Sequence, residues 1–173
     1  VHEHDLDKML RELAAYRPDL VLSERPAPPS AKDCFSHEIA MSDVTFFGTE
    51  ELAAKYGPGF PESLDQAPLF LPTENLALRR ALDQYFQTNG WKPKVLGEFE
   101  DLALSLAFAL TGQGMFASAS LIESELRRQT RLVPVGRVPS VQEHFFAITV
   151  PRKRAHPVLE KLLERGQKEL AKV

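Results

Sequence analysis

Lys94-Val95-Leu96-Gly97-Glu98-Phe99-Glu100-Asp101 runs directly into LALSLAFAL (102–110), then into Thr111-Gly112-Gln113-Gly114 and Met115-Phe116-Ala117. Lys94, Val95 and Leu96 read as a short strand, 97–101 as an acidic turn, and 102–110 as a helix that is apolar almost all round. Such a helix is expected to be buried on nearly every face, as between a parallel sheet and other structure. Gly112 and Gly114 supply a stop and a tight return into the next strand. The acidic residues therefore fall at the carboxyl end of a strand and the amino end of a helix, where open α/β sheets bind ligands.

The same alternation extends outward in both directions. After an extended Val1–Glu3, Asp5 is placed to cap an amphipathic helix with Leu6, Met9, Leu10 and Leu13 on one face. Leu20-Val21-Leu22-Ser23 is a continuous apolar run, expected as a buried parallel strand. Pro26, Pro28 and Pro29 make 24–31 a loop. Residues 35–39 and 44–48 read as two extended pieces with Met41-Ser42-Asp43 between them, and 50–56 as a helix ended by Gly57-Pro58-Gly59. A helical turn over 61–66 precedes a strand at 68–71. Pro72-Thr73-Glu74-Asn75 then opens a helix over 76–89, closed by Gly90, with Leu78, Leu82, Tyr85 and Phe86 as its apolar stripe. Ser118-Ala119-Ser120 is expected to cap a helix reaching Gln129, 132–135 and 143–150 to be strands, and Pro157 to sit in the first turn of a last helix carrying Leu162 and Leu163. Strands alternating with helices throughout give an α/β fold class.

The 173 residues, 43% hydrophobic and 26% charged, suffice for one domain or two small lobes. A net charge of −3 argues against nucleic-acid binding by this segment itself, because phosphate contacts need clustered Lys and Arg. The single cysteine, Cys34, excludes an internal disulfide and a Cys-based zinc cage, and fits a reducing cytosol. No apolar run approaches membrane-spanning length, and Val1-His2-Glu3-His4-Asp5 does not read as a signal peptide.

The succession of strand, turn, apolar helix, Gly-x-Gly return and strand resembles the effector-binding region of LysR-type transcriptional regulators, loosely before Leu64 and closely after Val95. LGEFEDLAL (96–104) with Ala107-Phe108, Gly136-Arg137-Val138, Glu143-His144 with Ala147-Ile148, and His156-Pro157 resemble the members of that family that activate a sodium/proton antiporter gene in response to sodium. The resemblance implies a two-lobed, periplasmic-binding-protein-like α/β fold. Its crossings should lie near 42–47 and 147–152, giving lobe I as 1–44 plus 148–173 and lobe II as 45–147. It further implies that a winged helix-turn-helix, a linker helix and the first strand and helix of lobe I precede Val1, so that this is a fragment. The implied partners are a small effector or cation in the inter-lobe cleft, promoter DNA through the absent N-terminal domain, a second copy in a homodimer or homotetramer, and RNA polymerase. Neither a membrane nor a cofactor is implied, and the location is cytoplasmic.

Within that frame Thr73, Glu74 and Asn75 would face the cleft, although Thr73 or Asn75 could equally be a plain helix cap. Glu98, Phe99, Glu100 and Asp101 occupy the equivalent turn. Acidic residues at a helix start are ordinary capping chemistry, so for each carboxylate that role balances a ligand role. Three carboxylates in four positions nonetheless exceed what capping needs. Hard cations take oxygen ligands, which makes Glu98, Glu100 and Asp101 the candidate cation ligands. Ser23 and Glu24 would approach from the other lobe, Glu24 being equally a solvated loop residue beside Arg25. Phe116 could form an apolar wall, with core packing its plainer role.

Other patterns carry less. Cys34 and His37 form no nucleophile motif, and His2 and His4 are not expected to share a metal. Pro151-Arg152-Lys153-Arg154 reads as a solvated turn, and Gly112-x-Gly114 follows a helix instead of opening one, unlike a dinucleotide fingerprint. With no nucleophile, base and orienting group at recognisable spacing, an enzyme is the least expected class. The alternatives are a LysR-type sensor of another small molecule or anion and, from a different class, a periplasmic solute-binding protein. The apolar faces Leu6-Leu10-Leu13 and Leu121-Ile122-Leu126 are candidate self-association surfaces.

Overall fold

The computed structural model describes residues 5–151 and Lys161. The expected strand at Val1–Glu3, the pair His2 and His4, the run Arg152 to Arg154 and the helix after Pro157 lie outside the described residues. The elements in order are α1 (Leu6–Ala14), β1 (Val21–Ser23), β2 (Phe35–Gly48), α2 (Glu50–Tyr56), 3-10 turns at Gly57–Gly59 and Glu62–Leu64, β3 (Pro68–Pro72), α3 (Ala77–Asn89), β4 (Lys94–Phe99), α4 (Leu102–Ala109), β5 (Met115–Ala119), a 3-10 turn at Ser120–Ile122, α5 (Glu123–Gln129) and β6 (Val133–Thr149). Neighbouring strands run in the order β1-β6-β2-β5-β3-β4.

The chain divides into two compact units, Val1–Met41 with His144–Val173 (unit 1) and Ser42–Glu143 (unit 2). The divisions fall at Met41/Ser42 and Glu143/His144, against the 44/45 and 147/148 expected from the resemblance. Both fall inside strands. The two extended pieces read on either side of Met41-Ser42-Asp43 are one strand, β2, since nothing there breaks an extended backbone. Likewise 132–135 and 143–150 join as β6, which absorbs Pro134, Gly136 and Pro139; a strand accepts proline where the ladder needs no N–H.

In unit 1 the Asp5 carboxylate caps α1, accepting the Asp7 and Lys8 N–H groups at 2.9 and 3.2 Å. Leu10 and Leu13 are buried with Val21, Ile148 and Val150, so these two residues of the α1 face serve the core. β1 pairs antiparallel with β6, Val21 opposite Ile148 and Leu22 opposite Ala147. The expected buried parallel strand is thus corrected: Val21 is buried but Leu22 is 63% exposed, because an apolar run encodes neither strand direction nor whether the second face is covered.

In unit 2, β5 is the central strand. It pairs antiparallel with β2, Phe47 opposite Phe116, and parallel with β3, Leu69 opposite Met115. β3 in turn pairs parallel with β4. Leu78, Leu82 and Phe86 of α3 pack with Phe46, Leu69, Leu71 and Met115. Ala109 of α4 packs with Phe47, Phe70 and Phe116, joined by Leu126 of α5 and Leu132. Leu126 therefore also serves the core, whereas Leu121 is exposed.

The expectation for α4 needs a larger correction. It buries only Ser105 and Ala109, with Leu106 and Leu110 partly covered, while Leu102, Leu104 and Phe108 are 47%, 50% and 45% exposed. A single i, i+4 stripe meets the sheet, and the outer face stays open among the described residues. The return after α4 does require glycine: a Cβ on Gly114 would lie 3.0 Å from the Phe70 ring and 3.1 Å from the Pro68 carbonyl oxygen, and Gly112 has φ of 77°.

Candidate functional site

β3 and β4 end side by side, with Leu71 opposite Glu98 and Pro72 opposite Phe99. Gly97, Glu98 and Phe99, expected in a turn, continue β4 because β3 gives them a pairing partner, so only Glu100 and Asp101 turn the chain into α4. Thr73, Glu74 and Asn75 form the corresponding turn after β3. Two bonds join the turns: the Thr73 N–H donates to the Phe99 carbonyl at 3.2 Å, and Asn75 Nδ2 donates to Glu100 Oε1 at 2.7 Å.

Neither Thr73 nor Asn75 is the helix cap. That position belongs to Leu76, whose side chain caps nothing and whose N–H donates to the Thr73 carbonyl at 3.0 Å. The Thr73 side chain is left with a buried Oγ1 that has no hydrogen-bond partner among the described residues. An orphaned buried hydroxyl is costly unless another molecule completes it.

The three carboxylates have three different partners. Glu98 is ion-paired with Arg79, Glu100 accepts from Asn75, and Asp101 caps α4 by accepting the Ala103 N–H at 2.6 Å. Among the described residues no group of three His, Cys, Asp or Glu side chains is arranged to hold a metal ion. Phe99 stacks on Phe108 at 4.8 Å and meets Phe70 at 5.9 Å, so its ring is engaged with α4. Phe116 is buried in the core. In unit 1, Ser23 Oγ accepts the Arg25 N–H at 3.2 Å and Glu24 is exposed.

Arg79 is the residue that sequence reasoning missed. Its side chain is 9% exposed, and its Nε reaches both Asp83 oxygens at 3.0 Å while Nη1 donates to the Pro72 carbonyl at 2.8 Å and to Glu98 at 2.6 Å. Burial disfavours its charge, but the hydrogen bonds and attraction of Glu98 and Asp83 outweigh that and push the guanidinium pKa above its ordinary value. The i, i+4 spacing of Arg79 and Asp83 was the available signal.

Unit 1 has a separate open groove of about 580 Å³, lined among others by Asp7, Leu10, Arg11, Lys32 and Cys34. Burial, with the charge of Asp33 adding to it, pushes the Cys34 thiol pKa up.

Residues 1–171 match the LysR substrate binding domain. The chain belongs to that family. Its LysR relatives include the transcriptional activator protein NhaR of Escherichia coli (strain K12), 28% identical over 157 residues, or 90% of this chain and 51% of NhaR, and NhaR of Shigella flexneri at the same identity and coverage. The chain thus spans about half the length of the curated relatives it matches. Solved LysR structures share the fold: CbnR, a LysR family transcriptional regulator, has a TM-score of 0.71 at 17% identity, covering 94% of this chain and 56% of CbnR. The cofactor-binding domain of the Cbl transcriptional regulator has a TM-score of 0.73 at 11% identity, covering 95% and 72%. The effector-binding domain of QuiR in complex with shikimate has a TM-score of 0.67 at 11% identity, covering 98% and 79%. The chain is accordingly a LysR effector-binding regulatory domain with the mixed α/β fold of the periplasmic-binding-protein-like type.

Proposed function

We propose that this domain senses the effector of an NhaR-like transcriptional activator, which switches on a sodium/proton antiporter gene in response to sodium. Promoter DNA would be bound through a separate winged helix, and the regulator would act in the cytoplasm as a homodimer or homotetramer with RNA polymerase as a further partner. The observation that carries the sensing role is the joined pair of turns after β3 and β4, where the buried Thr73 hydroxyl has no hydrogen-bond partner among the described residues. Thr73, Glu74, Asn75, Glu98, Glu100 and Asp101 are the proposed contacts there, with Phe99 and Phe116 as apolar backing. The surplus of carboxylates on these turns supports a cation or an amine over an anion.

Melting in sodium or lithium chloride, with ionic strength held constant by a bulky organic cation, tests the sodium reading. A ligand at about 100 times its Kd stabilises by about 2.7 kcal/mol, a shift of several degrees. Sodium and lithium are expected to raise the Tm, and Glu100→Gln to reduce the rise. Identical melting in all three salts, for wild type and variant, would eliminate direct cation sensing.

A second reading, a sensor of a small organic metabolite, is favoured by one observation: each of the three carboxylates already has its own protein partner. QuiR was solved with shikimate and the CcmR regulatory domain with 2-PG. A Tm rise with hydroxylated or amino metabolites and none with sodium would support it.

A further inference from the structure

We propose that Arg79 is a positioning residue for effector recognition, a buried clamp that holds the ends of β3 and β4 in the one geometry the two turns need. This rests on reading those turns as the effector site. A single nitrogen, Nη1, takes both the carbonyl of Pro72, the last residue of β3, and the carboxylate of Glu98, one residue before the end of β4. Pro72 and Phe99 are register partners, and the next bond outward, Thr73 N–H to Phe99, begins the joined turns. Both turns of the proposed site therefore hang from the strand ends that Arg79 grips.

Asp83, one helical turn along α3, accepts from Nε with both oxygens and fixes the plane of the guanidinium. The clamp thus binds three elements at once: α3, β3 and β4. A planar fork of donors meets these three acceptors in one fixed geometry, which the compact ammonium on its flexible stem does not reproduce. The partners are unequally covered, Asp83 being 51% and Glu98 41% exposed against 9% for Arg79, so a buried cation is held by acids facing solvent. Glu98 then serves as a counter-ion of the clamp, at the base of the turns that carry the other proposed contacts.

The test is amide hydrogen exchange on the whole chain for wild type, Arg79→Met, Arg79→Lys, Glu98→Gln and the double variant Arg79→Met/Glu98→Gln. Arg79→Met should speed exchange at 73–76 and 100–103 about tenfold or more while β2 and β5 stay within about twofold of wild type. Arg79→Lys should fall between, and the double variant should be no faster than Arg79→Met alone, because the clamp acts through Glu98. The sodium-induced Tm shift should vanish in Arg79→Met. Uniform acceleration across unit 2, full rescue by lysine, or no local change would each overturn the assignment. If Arg79→Met does not fold, Arg79→Lys and Glu98→Gln carry the same comparison. Wild type blind to sodium defeats the sodium reading, and Arg79 is then judged by the exchange pattern alone.

Discussion

Asn75 reaches across to Glu100, its side-chain N–H lying 2.7 Å from the Glu100 carboxylate, and so ties the turn after β3 to the turn after β4. Both residues are exposed, so water replaces most of what the bond contributes. Asn75→Ala is expected to cost no more than about 1 kcal/mol of stability by urea denaturation. In the proposed sensing role the same change should weaken the effector-induced Tm shift well beyond that small cost. A loss of stability with an unchanged shift would leave Asn75 a turn residue only.

Asp101 is the side-chain cap of α4. Asp101→Ala should therefore destabilise by about 1 kcal/mol, and Asp101→Asn by a few tenths, since asparagine caps nearly as well. Equilibrium urea titrations distinguish the two. If Asp101→Asn were as damaging as Asp101→Ala, the charge would matter beyond capping.

The open face of α4 predicts stickiness more than instability. Leu104→Ser should change unfolding free energy by no more than about 0.5 kcal/mol, and sedimentation at high concentration should show less self-association than wild type. Leu126→Ala, in the buried cluster with Phe47 and Phe116, should instead cost about 2–5 kcal/mol.

Cys34 predicts an alkaline limit. Its folded pKa is raised, so the fold favours the neutral thiol; the stabilisation is fully present below the unfolded thiol pKa and is lost as pH rises through the folded value. At neutral pH the native thiol should be alkylated more slowly than in the urea-unfolded chain. Cys34→Ser should remove this share of the alkaline loss. Equal alkylation rates in folded and unfolded protein would contradict it.

Periodicity made most of the elements readable. Glu50–Tyr56 is the helix expected, Gly90 ends α3 with φ of 73°, and Asp5 caps α1. Coverage was what sequence did not carry: LALSLAFAL is apolar whether or not anything lies over its outer face, and Leu22 is apolar on a half-buried strand. The candidate turns were found from their positions at strand ends, but their wiring was hidden. Arg79 looks like a surface residue of an amphipathic helix until Pro72 and Glu98, on the two neighbouring strands, are folded against it. Asp101 and Glu100 are adjacent and chemically alike, yet one caps a helix and the other binds Asn75.

The strands that carry the chain between the units, β2 and β6, have a genetic consequence. Unit 2 is one uninterrupted stretch, Ser42–Glu143, spliced into unit 1. A single in-frame deletion therefore removes unit 2, whereas no truncation from either end yields unit 1 alone. A stop codon placed after Glu143 would spare every residue of unit 2 and yet strip Val21 and Leu22 of Ile148 and Ala147, their partners in the ladder. Nonsense mutations just downstream of Glu143 should consequently damage the segment around Val21, which is encoded ahead of unit 2.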